Sequence, residues 1–302
     1  MSTDYEIIIA GAGIAGLTAA IHAARLGRRT LLLTGHVPGG HLISINCIDG
    51  YPGYPDGVPG YDLCPMAQDQ AMAAGAEMLP AMVESIAKTE NGFTLNANGK
   101  QYTSGAVILA TGSDLKELGI NGETEFHGKG VSHCASCDAP ALRGQVVAVV
   151  GGGDSALQEA LTLAEHVSKV IIIHRGSQFR AQQDYIQRIQ DNPKIESRFH
   201  STIEEILGGD AVTAVKVNQD GESSNLDVAA VFVFIGLQPN SHVVADLLEL
   251  DKTSHVPVDQ DMQTSVPGLF AAGLVRSGAA GRAVGSAGDG AVAATAAHRY
   301  LG

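Results

Sequence analysis

Four cysteines in 302 residues are too few for a disulfide scaffold, and only Cys134 and Cys137 lie close together. Cys47 and Cys64 stand alone and read as structural thiols. In a reducing compartment a single pair of this spacing is catalytic or metal-binding. A four-ligand zinc site needs a second pair; His133 could add a third ligand, but no partner cluster exists, so no metal is expected. Positive charge is also scarce: 19 Lys and Arg stand against 32 Asp and Glu, a formal net charge of −13, with no basic block. That balance argues against nucleic acid and anionic membranes as partners. No apolar run approaches the roughly 20 residues that span a bilayer. Residues 1–6 lead straight into an apolar strand and lack the basic, apolar, small-residue order of a secretory leader. A soluble, cytoplasmic protein is expected.

Glycine, by contrast, is abundant at 37 residues, and 45% of the chain is apolar. The length allows two domains with real cores. Residues 6–10 form a buried-strand run that enters Gly11-Ala12-Gly13-Ile14-Ala15-Gly16. An alanine-rich helix follows over 17–26, then Gly27 and a strand at 29–33. Strand, GxGxxG turn, helix and strand in that order form a dinucleotide-binding unit, with the helix N-terminus facing a pyrophosphate. The design recurs as a strand at 145–150, Gly151-Gly152-Gly153-Asp154-Ser155-Ala156, a helix from 155 to about 166 and a strand at 169–173.

Between them lie a loop-rich stretch at 34–65, a helix at 62–75, and short strands at 82–86 and 92–95. Asn98-Gly99 marks a hairpin, and a buried strand at 106–110 ends in Thr111-Gly112. Two strand-like runs flank Asp220-Gly221. The chain closes with a strand region at 264–272 and a helix over 288–300. The fold class is therefore α/β, with two Rossmann-like domains, the second inserted into the first. The boundaries expected are 1–117, 118–243 and 244–302.

Cys134-Ala135-Ser136-Cys137-Asp138 sits between the two fingerprints. Two cysteines separated by two residues can close a small disulfide ring; one thiolate attacks and the other resolves the mixed disulfide. The adjacent carboxylate can shuttle a proton on each half-reaction. A redox pair flanked by two nucleotide sites suggests a relay from nicotinamide to flavin to dithiol to an external disulfide.

The chain resembles the low-molecular-weight thioredoxin reductases. Matching segments run in order through Gly11–Gly16, Pro38-Gly39-Gly40, Tyr51-Pro52-Gly53, Ala110-Thr111-Gly112, Cys134–Asp138, Gly151–Ala156, His174–Arg180, Gly236 with Pro239-Asn240, and Ala271-Ala272-Gly273. The resemblance implies FAD on the first fingerprint and NADPH, ahead of NADH, on the second. It also implies a homodimer and a nicotinamide domain that rotates. Cys137 would lie beside the flavin, Cys134 would attack the partner disulfide, and Asp138 would manage the thiol protons. The implied FAD residues are Gly11, Ala12, Gly13, Ile14, Ala15, Gly16, Thr34, Gly39, Gly40, His41, Val83, Thr111, Gly112, Gly273, Leu274, Arg282 and Ala283. Those for NADPH are Gly151, Gly153, Asp154, Ser155, Ala156, His174, Arg175, Arg180 and Gly236.

The chain departs from the commoner family pattern in several places. Thr34 and Leu274 stand where carboxylates often accept hydrogen bonds from FAD hydroxyls. His41 and Gly50 replace a glutamine and an asparagine of the flavin loop, and Arg282 occupies a position usually held by glutamine. Gly176 interrupts an arginine pair, leaving Arg175 and Arg180 for a 2′-phosphate. The electron acceptor is expected to be a thioredoxin-like protein or another small disulfide or lipoyl-carrying protein. Alternatives are a flavin-dependent dithiol oxidase with oxygen as acceptor, a ferredoxin-driven disulfide reductase, and a binding or sensing protein without turnover.

Overall fold

The computed structural model describes residues 3–302. The chain begins with β1 (Tyr5–Ala10), α1 (Ile14–Arg25) and β2 (Thr30–Leu33), a parallel βαβ unit in which Ile7 pairs Thr30 and Ala10 pairs Leu33. Helix α2 (Gly60–Ala73) and the strand β3 (Glu77–Leu79) follow. An antiparallel section then comprises β4 (Val83–Thr89), β5 (Gly92–Ala97) and β6 (Lys100–Leu109). Asn98 and Gly99 join β5 to β6 with φ of 48° and 70°, the left-handed pair that an Asn-Gly hairpin turn requires.

The chain leaves this first unit after Asp114 and returns at Pro239. The chain crosses between the units in two short strands, β7 (Ser113–Leu115) on the way out and β16 (Leu237–Pro239) on the way back. The second unit, residues 115–238, holds β8 (Val131–Ser132), α3 (Ala135–Asp138), β9 (Val146–Gly151), α4 (Asp154–Ala164), β10 (Lys169–Ile173), α5 (Gln183–Gln190) and β11 (Ile195–Arg198). It continues through β12 (Ser201–Gly208), β13 (Val212–Gln219), β14 (Glu222–Asp227) and β15 (Ala230–Phe234), then into β16 (Leu237–Pro239). The first unit is completed by β17 (Leu269–Ala271) and α6 (Ala283–Leu301).

In the first unit the sheet order is β3-β2-β1-β6-β5-β4, with β17 added beside β6. Side chains of β1 alternate between two cores, as period-two geometry demands. Ile7 and Ile9 pack with Leu17, Ile108 and Phe270 under α1 and α6, while Ile8 and Ala10 face Leu31, Leu33, Leu95 and Leu109. Each such fully buried Ile, Leu or Phe side chain contributes about 1.5–3 kcal/mol. The second unit repeats the plan with a parallel sheet of order β11-β10-β9-β15-β8. Val147, Val149, Leu157, Leu163 and Phe232 fill its helical face. Its other face is covered by the antiparallel sheet β12-β13-β14, through Ile203, Val215 and Val217.

Helix α6 begins at Ala283, ahead of the expected start at 288. Glycines at 285, 288 and 290 depress helix propensity there, but packing overrides it. A Cβ on Gly290 would lie 2.1 Å from the Ala15 carbonyl oxygen, so glycine is what lets α6 pack so closely on α1. The expected strand over 264–272 contracts to Leu269–Ala271, and 212–235 holds three strands in place of two.

Candidate active site

The first glycine turn is shaped by close approach. Gly11 has φ of 103°, and a Cβ there would meet the Ala110 carbonyl oxygen at 2.4 Å; at Gly16 it would meet the Gly11 oxygen at 1.8 Å. Gly13 differs, because a Cβ there meets nothing within 4 Å. It caps α1 without a side-chain hydrogen bond, so no cap side chain takes up the first-turn amides, and no Cβ at Gly13 would obstruct the approach to them. Orphan amides at the positive end of a helix dipole suit a phosphate. Gly39 donates its amide to the Ala12 carbonyl at 2.7 Å, and a Cβ on Gly40 would lie 3.4 Å from the Gly13 Cα, which brings the 38–41 loop to the rim of this cradle.

Other residues implied for FAD lie on the same unit. His41 Nε2 contacts the Ser113 carbonyl, whose own hydroxyl is buried without a partner. Thr111 donates its hydroxyl to the Asn240 carbonyl at 2.7 Å, and Gly112 follows with φ of 68°. Thr34, buried at the end of β2, donates its hydroxyl to Gly35 and offers a nucleotide no negative charge. Val83 starts the edge strand β4 with its side chain in the core, so only its backbone is available to a ligand. Arg282 and Ala283 form the cap and first residue of α6.

Gly273, with φ of 76°, sits against the N-terminal turn of α1: a Cβ there would be 2.9 Å from the Ala15 Cβ. Leu274 follows in a short 3-10 turn. A carboxylate is nevertheless present nearby. Asp289, on α6 and 7% exposed, accepts the Gly273 amide at 3.1 Å and a two-pronged pair of bonds from Arg276 at 2.7 and 2.8 Å. Neither partner was singled out from the sequence, since they are separated by 13 residues and share no motif.

The second cradle has the same logic. Gly151, with φ of 146°, would place a Cβ 2.3 Å from the Phe234 oxygen and 2.8 Å from the Ala156 Cβ; Gly153 is open and caps α4. Asp154 Oδ1 accepts the Gln182 amide at 2.7 Å, and Arg180 donates its amide to the Gly152 carbonyl at 2.7 Å, fixing the loop after β10 to the turn. Ser155 is exposed in the first turn of α4.

The His174 imidazole fills a slot between two glycines: a Cβ on Gly152 would lie 2.4 Å from its ring and one on Gly176 2.8 Å from Nε2. Its Nε2 meets the Gln178 carbonyl at 3.0 Å, with Phe179 and Phe199 alongside. Burial, and then the charges of Arg180 and Arg175, push its pKa down, so the ring is held neutral. This accounts for Gly176: a larger residue there would dislodge the ring. The guanidinium groups of Arg175 and Arg180 are exposed and, among the described residues, have no hydrogen-bond or ion-pair partner. Gly236 has φ of 113° and open space around it.

Cys134 and Cys137 form a disulfide, with Cα atoms 5.4 Å apart. Ser132 Oγ accepts the Cys134 amide at 3.1 Å, and Cys134 caps α3, its sulfur accepting the Cys137 amide at 3.3 Å. Cys137 and Asp138 are exposed, while Cys134 is half-buried. Glu159 on α4 accepts the Ala135 amide at 3.1 Å, a contact no sequence motif signals. His133 does not bond the cysteines; its Nε2 is buried without a partner, and burial followed by the nearby His127 charge lowers its pKa. Cys47 approaches Asp49, and Cys64 is buried against Gly39. Among the described residues no three His, Cys, Asp or Glu side chains are grouped to hold a metal.

Residues 5–296 match the pyridine nucleotide-disulphide oxidoreductase family model. The chain is 40% identical to a thioredoxin reductase of Treponema pallidum, over 100% of this chain and 98% of that protein. It is 38% identical to a bifunctional thioredoxin reductase/thioredoxin of Mycobacterium leprae, over 99% of this chain and 66% of that protein. The crystal structure of a Lactococcus lactis thioredoxin reductase superposes with a TM-score of 0.95 at 34% identity, covering 99% of both chains. The chain belongs to the pyridine nucleotide-disulphide oxidoreductases, and within them to the low-molecular-weight thioredoxin reductases.

Proposed function

We propose that the protein uses NADPH to reduce the disulfide of a thioredoxin, with FAD and the Cys134–Cys137 pair as intermediate carriers. The observation that carries this reading is the Cys134–Cys137 disulfide at the head of α3, in a unit that also holds an open GxGxxA cradle. The residues present fit both dinucleotides, because Gly13 and Gly153 each leave space at the start of a helix where a Cβ would touch nothing. FAD is assigned to residues 1–117 and 244–302, around Gly11–Gly16, Gly39–His41, Thr111–Gly112, Gly273–Leu274 and Arg282–Ala283. NADPH is assigned to 118–243, around Gly151–Ala156, His174 and Gly236, with Arg175 and Arg180 on its 2′-phosphate. When bound, these groups supply the hydride and a two-electron path.

The chain's own residues do the thiol chemistry. Two electrons and two protons break the S–S bond and leave a dithiol. Asp138, beside Cys137, is placed to give and take a thiol proton. The Cys134 thiolate then attacks a sulfur of the partner disulfide, expelling one partner thiolate and forming a mixed disulfide. Cys137 attacks Cys134 sulfur, releases the second partner thiolate and restores the intramolecular bond. Thioredoxin is favoured as the partner because the M. leprae relative is named for both activities in one chain. A homodimer is proposed, checked by sedimentation. No helix among the described residues is long and apolar enough to cross a membrane.

Supplying purified protein, FAD and NADPH with oxidised thioredoxin tests the reading. Stoichiometric appearance of two thioredoxin thiols per NADPH supports it; NADPH loss without thiol formation contradicts it.

A further inference from the structure

The Ala135 amide is the first inside the Cys134–Cys137 ring, and Ala135 is fully buried. A buried amide must find an acceptor in the protein. Here the acceptor is Glu159 Oε2 at 3.1 Å, reaching across from the middle of α4. The surrounding α4 face is apolar, with Ala156, Ala160, Leu163 and Ala164 all buried. A carboxyl at its edge is costly to ionise, and burial raises its pKa, only partly opposed by the Ala135 amide.

Among the described residues no opposite charge compensates it. Helix α4 packs on α3, α5, β9, β10 and β15. The titratable or charged groups of those elements are Cys137 and Asp138 on α3, Asp184, Tyr185 and Arg188 on α5, and Lys169 on β10, with Asp154 on α4 itself. Arg188 pairs with Asp184 and Lys169 with Glu196, and none of these groups pairs with Glu159.

We propose that Glu159 is a positioning residue of the redox pair, holding the first amide of α3 and, when ionised, setting its charge against the thiolate of the reduced Cys134/Cys137 pair. This rests on the reading of that pair as the redox centre. Reduction takes up two electrons and two protons and breaks the S–S bond; the dithiol can then release one proton as a thiolate. Ionised Glu159 opposes that release, and the thiolate in turn opposes ionisation of Glu159. Neutral Glu159 keeps its bond to the amide and lets the thiolate form. The carboxyl thereby couples the disulfide equilibrium to pH from outside the ring.

Glu159→Gln is nearly isosteric and keeps an oxygen for the Ala135 amide, so it removes the charge alone. The full-length flavoprotein is equilibrated anaerobically with dithiothreitol, which gives up two electrons and two protons and closes to its cyclic disulfide. Free Cys134 and Cys137 are counted by mass after alkylation, from about pH 6 to pH 9. Wild type and E159Q are expected to coincide at low pH, where both thiols are protonated and no thiolate exists for the carboxyl to oppose. They are expected to diverge as pH rises, E159Q holding about threefold or more dithiol at the upper end. Coincidence at every pH, or an offset of constant size, would leave Glu159 as a simple helix tether and overturn the proposal.

Should E159Q fail to fold, infrared redox difference spectra of wild type carrying ¹³C-glutamate decide it. A protonated glutamate band that moves on reduction supports the coupling, and an unmoved band refutes it. Neither experiment uses a nicotinamide or thioredoxin, so failure of the reductase reading would show separately, as absence of NADPH-driven reduction.

Discussion

The charges of Arg175 and Arg180 both act on His174, their guanidinium groups have no partner among the described residues, and charge-assisted bonds to a phosphate are worth about 1.5–3 kcal/mol each. Arg180→Ala is therefore expected to raise KM for NADPH by roughly 10- to 100-fold while leaving that for NADH nearly unchanged. Equal losses with both would remove Arg180 from the phosphate site. A second expectation concerns the cysteines. With reduced Cys137→Ser protein, an activated aromatic disulfide should leave a stable adduct on Cys134, seen by mass, whereas Cys134→Ser should react and turn over poorly. Trapping on Cys137 instead would reverse the assigned roles, a real alternative given that Cys137 is the more exposed. At this scale the sequence displayed whatever a motif or short spacing encodes: the glycines, the cysteine pair, Asp138 and the arginines. Glu159 was illegible because it lies 24 residues from the amide it accepts, and a lone glutamate within a helix reads as surface.

At the scale of elements, the Arg276–Asp289 pair ties the turn after β17 to α6, with side chains only 16% and 9% exposed. Removing one partner of a buried pair leaves an uncompensated charge, typically costing 3–5 kcal/mol. Arg276→Ala is expected to lower the thermal midpoint accordingly, and Asp289→Asn with Arg276→Met together should recover part of the loss. An R276A midpoint within a degree or so of wild type would show that the pair carries no such load. Both βαβ units were legible because strand run, glycine turn and helix follow in unbroken order. The start of α6 was not, because its glycines are set by the approach of α1, a tertiary fact that local propensity contradicts. The sheet β12-β13-β14 was only partly legible: Asp220-Gly221, with φ of 52° and 93°, announced one hairpin, while β12 joins β13 through the longer loop Gly209-Asp210-Ala211, which lacks the two-residue spacing that fixes a hairpin register.

At the scale of the molecule, two histidines with lowered pKa, His133 and His174, lie in the 115–238 unit. A histidine buried neutral takes up a proton more readily when unfolded, so the unfolded state binds more protons as pH falls below about 6.5. Stability from these groups is complete above that value and is lost as pH falls toward their depressed folded pKa values. Thermal scans should show this unit weakening as pH falls below about 6.5, with the slope reduced in His174→Phe. An unchanged slope would mean the ring is not held neutral.

The account as a whole depends on nicotinamide reaching a flavin held by the first unit and on the electrons passing to the cysteines. An anaerobic titration of the FAD-loaded protein with NADPH, and separately with NADH, tests this most directly through loss of oxidised-flavin absorbance. Rapid bleaching by NADPH, slower bleaching by NADH, and the appearance of free Cys134 and Cys137 thiols are the predicted result. A flavin that stays oxidised with both nucleotides would contradict the account.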